Sequence, residues 1–228
     1  MNSEISPAEA RQITRRWPLI SGLSVLVLAV LLGMLIATRE GVLSLDQLVL
    51  DDLLSIRADV FTVPALSMNF LGGGWFGVLV VPLGGALAFF LLKRRWAALY
   101  FLLASALSAG VVQLLKSLFG RTRPDEILVT ADLGSFPSGH VANAATLSVV
   151  LIILLQRRWV LVAGIVYTIL MILSRTYLGA HWLSDTIGGA LVGIGVAIIV
   201  WAPFAHVLAT EDTQFGIKKR ARRPHSVG

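Results

Sequence analysis

The chain contains no cysteine. Disulfides and thiolate metal sites are therefore excluded, and the redox compartment is left open. Charge is also scarce: charged residues make up 14% of the 228, against 56% hydrophobic, with a mean hydropathy of +0.81. A soluble domain carries about a quarter charged residues, so this chain has too few to cover a water-facing surface and belongs in a bilayer. No His/Glu cluster stands at metal-ligand spacing such as HExxH, which predicts chemistry without a metal or other cofactor. There is no internal repeat, and no low-complexity segment beyond the C-terminal tail.

What is present is a series of uncharged apolar runs at Leu19–Thr38, Phe70–Leu92, Ala97–Leu115, Val141–Leu155, Val160–Leu173 and Thr186–Val207. A membrane span needs about 20 residues, so the first, second, third and sixth runs are ordinary and the fourth and fifth are short. The simplest reading is an all-α polytopic bundle with six transmembrane helices. The first run is long and lacks a small-residue cleavage site, so it reads as a retained span rather than a signal peptide. Residues 1–18 then form a cytoplasmic N-terminal segment, 19–207 the six-span domain, and 208–228 a basic cytoplasmic tail.

Charge orients the array. With the N-terminus inside, the inner segments hold Arg11, Arg15, Arg16, Lys93, Arg94, Arg95, Arg157, Arg158 and the five basic residues of the tail. The outer side holds Arg39, Arg57, Lys116, Arg121, Arg123 and Arg175, and the excess of inner cations satisfies the positive-inside rule. The tail run KKRARRP at 218–224 and a net charge of +6 suit either nucleic acid or anionic lipid. A stop-transfer flank drawn to anionic lipids is the reading adopted, with no nucleic-acid partner.

Between the first two runs, residues 39–69 carry Asp46, Asp51, Asp52 and Asp59. Leu45, Val49, Leu53, Ile56 and Val60 recur at helical spacing, which predicts an amphipathic connector helix on the extracytoplasmic surface. Gly72–Gly74 lacks the strand before it and the Lys-Ser/Thr after it that a phosphate loop needs, and reads as a flexible start to a helix. Gly189 and Gly193 form a GxxxG pattern, explained by close packing of helices within one chain. The oligomeric state is left open.

Three short stretches then stand out: KSLFGRTRP at 116–124, PSGH at 137–140 and SRTYLGAHWLSD at 174–185. A phosphate dianion needs several fixed cations and hydrogen-bond donors, which Lys116, Arg123 and Arg175 supply. The arginines suit bidentate contact and the lysine acts as a compact point charge. Arg121 reads as a snorkelling anchor, and Asp125, Glu126 and Asp132 as solvated. His181 and Asp185, four apart, share a helical face. A carboxylate on Nδ1–H leaves Nε2 with its lone pair free, the state a nucleophile requires. His140 is placed to protonate a leaving alkoxide, and Ser138 and the Gly139 amide to donate to phosphate at a helix N-terminus. Trp182 reads as a rim anchor in the interface.

On these residues the chain resembles the type 2 phosphatidic acid phosphatase superfamily, whose signatures are K-x6-RP, PSGH and SR-x5-H-x3-D. Lys116, Arg123 and Pro124 match the first, Pro137–His140 the second, and Ser174, Arg175, His181 and Asp185 the third. The resemblance implies a PAP2-like core and a membrane lipid phosphatase acting through a phosphohistidine on His181. Implied substrates are a lipid phosphate monoester or diphosphate, such as phosphatidic acid, phosphatidylglycerol phosphate, diacylglycerol pyrophosphate or undecaprenyl diphosphate. A phosphotransferase and a catalytically silent lipid-phosphate binder stay open as alternatives.

Overall fold

The computed structural model describes residues 7–132 and 134–214, with side chains from Arg16 to Thr213. The basic run at 218–224 and its expected contact with anionic lipid lie outside the described residues. Regular structure among the described residues is entirely helical: α1 (Pro7–Ala37), α2 (Ser44–Ser55), α3 (Asp59–Gly72), a π-helical turn (Phe76–Val80) leading into α4 (Val81–Leu91), α5 (Arg95–Phe119), α6 (Gly139–Leu155), α7 (Arg158–Tyr177) and α8 (Leu183–Gln214).

By length and composition, α1 from Arg16, α5, α7 and α8 can each cross a membrane, and α3 with the π turn and α4 makes a fifth span if counted as one, bent by 45°. Helix α6 has 17 residues. At 1.5 Å per residue it rises about 26 Å, short of a hydrocarbon core of about 30 Å.

Two segments differ from their sequence reading. The apolar run at Phe70–Leu92 is a broken helix rather than one rod, because three consecutive glycines carry no side chain to hold helical geometry and Gly74 adopts φ +56°. The connector at 39–69 contains two helices, not one. In α2 the exposed apolar residues include Leu45 and Leu48, while Asp46 and Leu50 are buried against the bundle.

Helix α1 lies along α8, and α6 is flanked by α7 and α8. Glycine makes these contacts close: a Cβ at Gly189 would meet the Ser138 carbonyl, and one at Gly193 the Ala142 carbonyl. The GxxxG pattern therefore packs α8 on α6 within the chain, as read. At the end of the bundle remote from α2, buried Arg94 pairs with Asp212 at 2.5 Å, and Glu211 accepts from the amides of Trp96 (3.0 Å) and Ala97 (3.1 Å) at the start of α5. Arg94, counted from the sequence among the inner-side cations, is thus a clamp between α5 and α8.

Candidate active site

The termini of four helices meet at the end of the bundle under α2 and α3. Helix α5 stops because Gly120 takes the left-handed conformation, φ +53°, and returns its amide to the Lys116 carbonyl at 3.0 Å. This leaves Lys116 in the last turn and folds the following segment back so that Arg121 and Arg123 reach the same cluster. Ser138 caps α6 in an extended conformation, and its amide donates to the Asp185 carbonyl at 2.9 Å. Arg175 lies in the last turn of α7, and Gly179 at φ +66° turns the chain toward His181 before α8 begins.

A cavity of about 300 Å³ opens here, lined by Lys116, Arg123, Gly139, His140, Arg175 and His181. It continues between α5 and the π turn with α4, past Val78, Pro82, Ala109 and Val112 and the polar Ser105, Ser108 and Gln113. Lys116 Nζ donates to both Asp132 oxygens at 3.0 Å and to the Gly134 carbonyl at 2.9 Å. Arg123 Nη2 donates to Asp132 Oδ1 at 2.8 Å, while its Nη1 donates to the Ala180 carbonyl at 2.6 Å. Burial alone would raise the Asp132 carboxyl, but Lys116 and Arg123 outweigh it and hold it below the usual carboxylate range. Asp132 is thus an ion-paired lid on two cations rather than a freely solvated acid; Asp125 and Glu126 are exposed, as read.

His181 Nδ1 lies 2.8 Å from the Ser135 carbonyl, which can only accept, so the proton sits on Nδ1. Nε2 then keeps its lone pair and accepts from Arg123 Nη1 at 3.2 Å. Burial pushes the imidazole down to about 4; the Asp185 carboxylate opposes this, and Arg175 and Arg123 add to it. Asp185 Oδ2 is 3.7 Å from Nδ1, too far for a hydrogen bond. The expected orientation by Asp185 is replaced by a backbone carbonyl, and Asp185 acts on the ring as a nearby charge. Its oxygens are otherwise taken: Oδ1 by Arg121 Nη1 at 2.5 Å, and Oδ2 by the Ser135 hydroxyl and the Trp182 amide at 3.0 Å.

His140 Nε2 lies 3.1 Å from the Asn69 carbonyl, and the Asn69 side-chain oxygen accepts from Arg175 Nη1. Arg175 Nε and Ser138 Oγ are buried, with no hydrogen-bond partner among the described residues.

All eight residues expected at the site gather at this end: His181, His140, Asp185, Lys116, Arg123, Ser138, Gly139 and Arg175. Two other expectations are corrected. Arg121 is no snorkelling anchor, because its guanidinium joins Asp185 to Asp46 at 2.7 Å. Trp182 is buried rather than interfacial, with its indole N–H on the Thr122 carbonyl at 3.0 Å. Sequence reasoning missed Asp46, Asn69 and Ser135. Asp46 had a signal, since it lies four residues before Leu50 and so on the same helical face as a buried apolar residue. Asn69 and Ser135 had none, because each acts partly through its backbone carbonyl. Among the described residues, no group of three His, Asp or Glu converges as a metal site.

Residues 97–206 match the PAP2 superfamily. The chain is 29% identical over 171 residues to phosphatidylglycerophosphatase B of Bacillus subtilis, spanning 71% of this chain and 84% of that protein. It is 30% identical over 167 residues to decaprenylphosphoryl-5-phosphoribose phosphatase of Mycobacterium tuberculosis, spanning 70% and 83%. The crystal structure of a transmembrane PAP2-type phosphatidylglycerolphosphate phosphatase from Bacillus subtilis superposes with a TM-score of 0.66 at 25% identity, covering 85% of this chain and 96% of that one.

Proposed function

The chain belongs to the PAP2 superfamily, and on that premise we propose that it is a multi-pass membrane phosphatase that hydrolyses a lipid phosphate monoester or diphosphate through a phosphohistidine on His181. The observation that carries this reading is the cavity into which Lys116, Arg123, Arg175, His140 and His181 converge, with a continuation beside α5 whose wall includes Val78, Pro82, Ala109 and Val112. The cationic end fits the phosphate, and the apolar residues along the continuation fit a lipid chain.

His181 Nε2 attacks phosphorus, and the bond from phosphorus to the leaving oxygen breaks with its electron pair on that oxygen. Lys116, Arg123 and Arg175 take up charge on the phosphoryl oxygens, and the Ser138 hydroxyl and Arg175 Nε are unsatisfied donors available to them. For this, Lys116 and Arg123 exchange Asp132 for phosphate, and Arg123 releases the Nε2 lone pair. His140, protonated on both ring nitrogens once the phosphate dianion is bound, delivers its Nε2 proton to the leaving alkoxide as it exchanges the Asn69 carbonyl for the leaving oxygen, and is left as the neutral imidazole. The same imidazole then removes a proton from the water that splits the P–N bond, restoring His181. A silent binder would need the cations but not this nucleophile and acid.

Six spans, with both termini cytoplasmic and the site extracytoplasmic, remain the reading for topology. Support comes from α6 counted as a short sixth span and from the cations flanking the opposite end. The short rise of α6 keeps the site near headgroup depth, where a lipid phosphate already lies.

The test is release of inorganic phosphate by the purified chain in detergent from phosphatidic acid, phosphatidylglycerol phosphate, diacylglycerol pyrophosphate and undecaprenyl diphosphate, beside His181→Ala. Turnover by the wild type and none by the folded variant is expected. A His181→Ala rate near wild type sinks the nucleophile assignment.

A further inference from the structure

We propose that Asp46, on the α2 connector, is a positioning residue for the nucleophile: by sharing the Arg121 guanidinium it leaves Asp185 with uncompensated negative charge for the imidazolium that forms on His181. This rests on His181 being the nucleophile.

Four side chains stand in a row, Asp46, Arg121, Asp185 and His181, with Arg121 9% exposed and the other three buried. Asp46 Oδ1 accepts the Ser184 amide at 2.8 Å, and Oδ2 accepts the Ser184 hydroxyl at 2.6 Å and Arg121 Nη2 at 2.7 Å. Arg121 Nη1 donates to Asp185 Oδ1 at 2.5 Å and to Ser184 Oγ at 2.8 Å. Every partner of Asp46 is a donor, the environment of a carboxylate. Ser184 and Asp185 are adjacent in the first turn of α8, so the connector grips the same turn that presents Asp185 to His181.

The charges in this row decide its role. The resting imidazole is neutral, with its proton on Nδ1 facing the Ser135 carbonyl. Two carboxylates and one guanidinium leave one excess negative charge. When Nε2 bonds to phosphorus and the leaving group departs, the ring keeps the Nδ1 proton and becomes cationic, and the row is balanced. A cation formed in a buried site beside Arg123 and Arg175 is costly unless an opposite charge is already in place. Without Asp46, Arg121 would pair with Asp185 alone and cancel that charge. The connector is then part of the electrostatics of phosphoryl transfer and more than a link between spans.

The test uses the full chain in detergent and reads kcat, KM, single-turnover phosphorylation of His181 and competitive inhibition by inorganic phosphate. Asp46→Asn is expected to lower kcat and the single-turnover rate by about tenfold or more, while KM and phosphate inhibition stay within about twofold, because the phosphate-binding cations are untouched. Asp46→Asn/Arg121→Gln removes one charge of each sign, restores the excess on Asp185, and is expected to be faster than Asp46→Asn. A structural role predicts the reverse, since the double variant loses more contacts. Asp46→Asn at the wild-type rate, or a folded double variant no faster than the single one, overturns the proposal. If Asp46→Asn does not fold, Asp46→Glu decides: it retains the charge and is expected to keep kcat within a few-fold, and a folded Asp46→Glu slowed more than about tenfold overturns the idea. Failure of the parent reading is a separate result, visible as a wild-type chain that releases no phosphate or a His181→Ala chain that still does.

Discussion

Asp132 occupies two of the cations proposed to bind phosphate, so removing its charge should tighten phosphate binding. Its carboxylate bridges Lys116 Nζ at 3.0 Å and Arg123 Nη2 at 2.8 Å, yet its side chain is 58% exposed while those of Lys116 and Arg123 are 6% and 13% exposed. Exposed ion pairs are worth about 0.2–1 kcal/mol each, so releasing two of them costs an incoming phosphate about 1 kcal/mol, or roughly fivefold in affinity. Asp132→Asn keeps the size and most of the polar contacts but surrenders the charge. The inhibition constant of inorganic phosphate and KM for lipid substrate should both fall by about two- to tenfold, with a smaller change in kcat. Acid should not mimic the variant near neutrality. Because Lys116 and Arg123 depress the Asp132 carboxyl, its latching charge is fully present above the ordinary carboxylate value and is lost only as the pH falls through the lower value of the folded state. A phosphate constant that is unchanged or raised in Asp132→Asn would refute this reasoning and make Asp132 a residue that aligns the cations for phosphate.

Two further predictions concern His140 and topology. His140→Ala should severely slow single-turnover phosphorylation from a lipid alkyl phosphate, whose alkoxide needs a proton, and spare far more of the rate from an aryl phosphate with an acidic phenol. Equal loss for both substrates would withdraw the general-acid role. Single cysteines at exposed Glu126 and exposed Arg157, in this cysteine-free chain, should differ toward an impermeant thiol reagent on intact cells, with only the Glu126 position labelling. Equal protection of both in a folded protein would refute the orientation.

The phosphate-facing half of the site was legible in the sequence because its chemistry must use particular side chains at helix ends. In the proposed mechanism Lys116, Arg123, Arg175, His140 and His181 act through their own side-chain atoms, and the apolar runs place them at one end of a bundle. What was not legible lies in partners that any residue type can offer. The carbonyl of Ser135 fixes the His181 proton, and the carbonyl of Asn69 holds His140. Arg121 was misread for a different reason. An arginine at a span end has a plausible fate in headgroups, and only the fold of α2 over the site brings Asp46 within 2.7 Å to offer another.

The glycine run at 72–74 shows the same division within three residues. Read along the chain, it marks only a weak point in a helix. Across space, Gly73 stands where a Cβ would fall inside the His140 imidazole, and a Cβ at Gly72 would strike Met171 of α7. The backbone of α3 is therefore as close to the second signature as a main chain can come. That approach puts the Asn69 carbonyl within reach of His140 and the Asn69 amide within reach of Arg175. Beyond the break, the 45° bend carries the chain into the π turn and α4, whose Val78 and Pro82 line the continuation of the cavity. Side chains at 72 and 73 would displace Met171 and His140 from these positions. The break in the second span thus lets the main chain lie against His140 while α4 lines the same cavity.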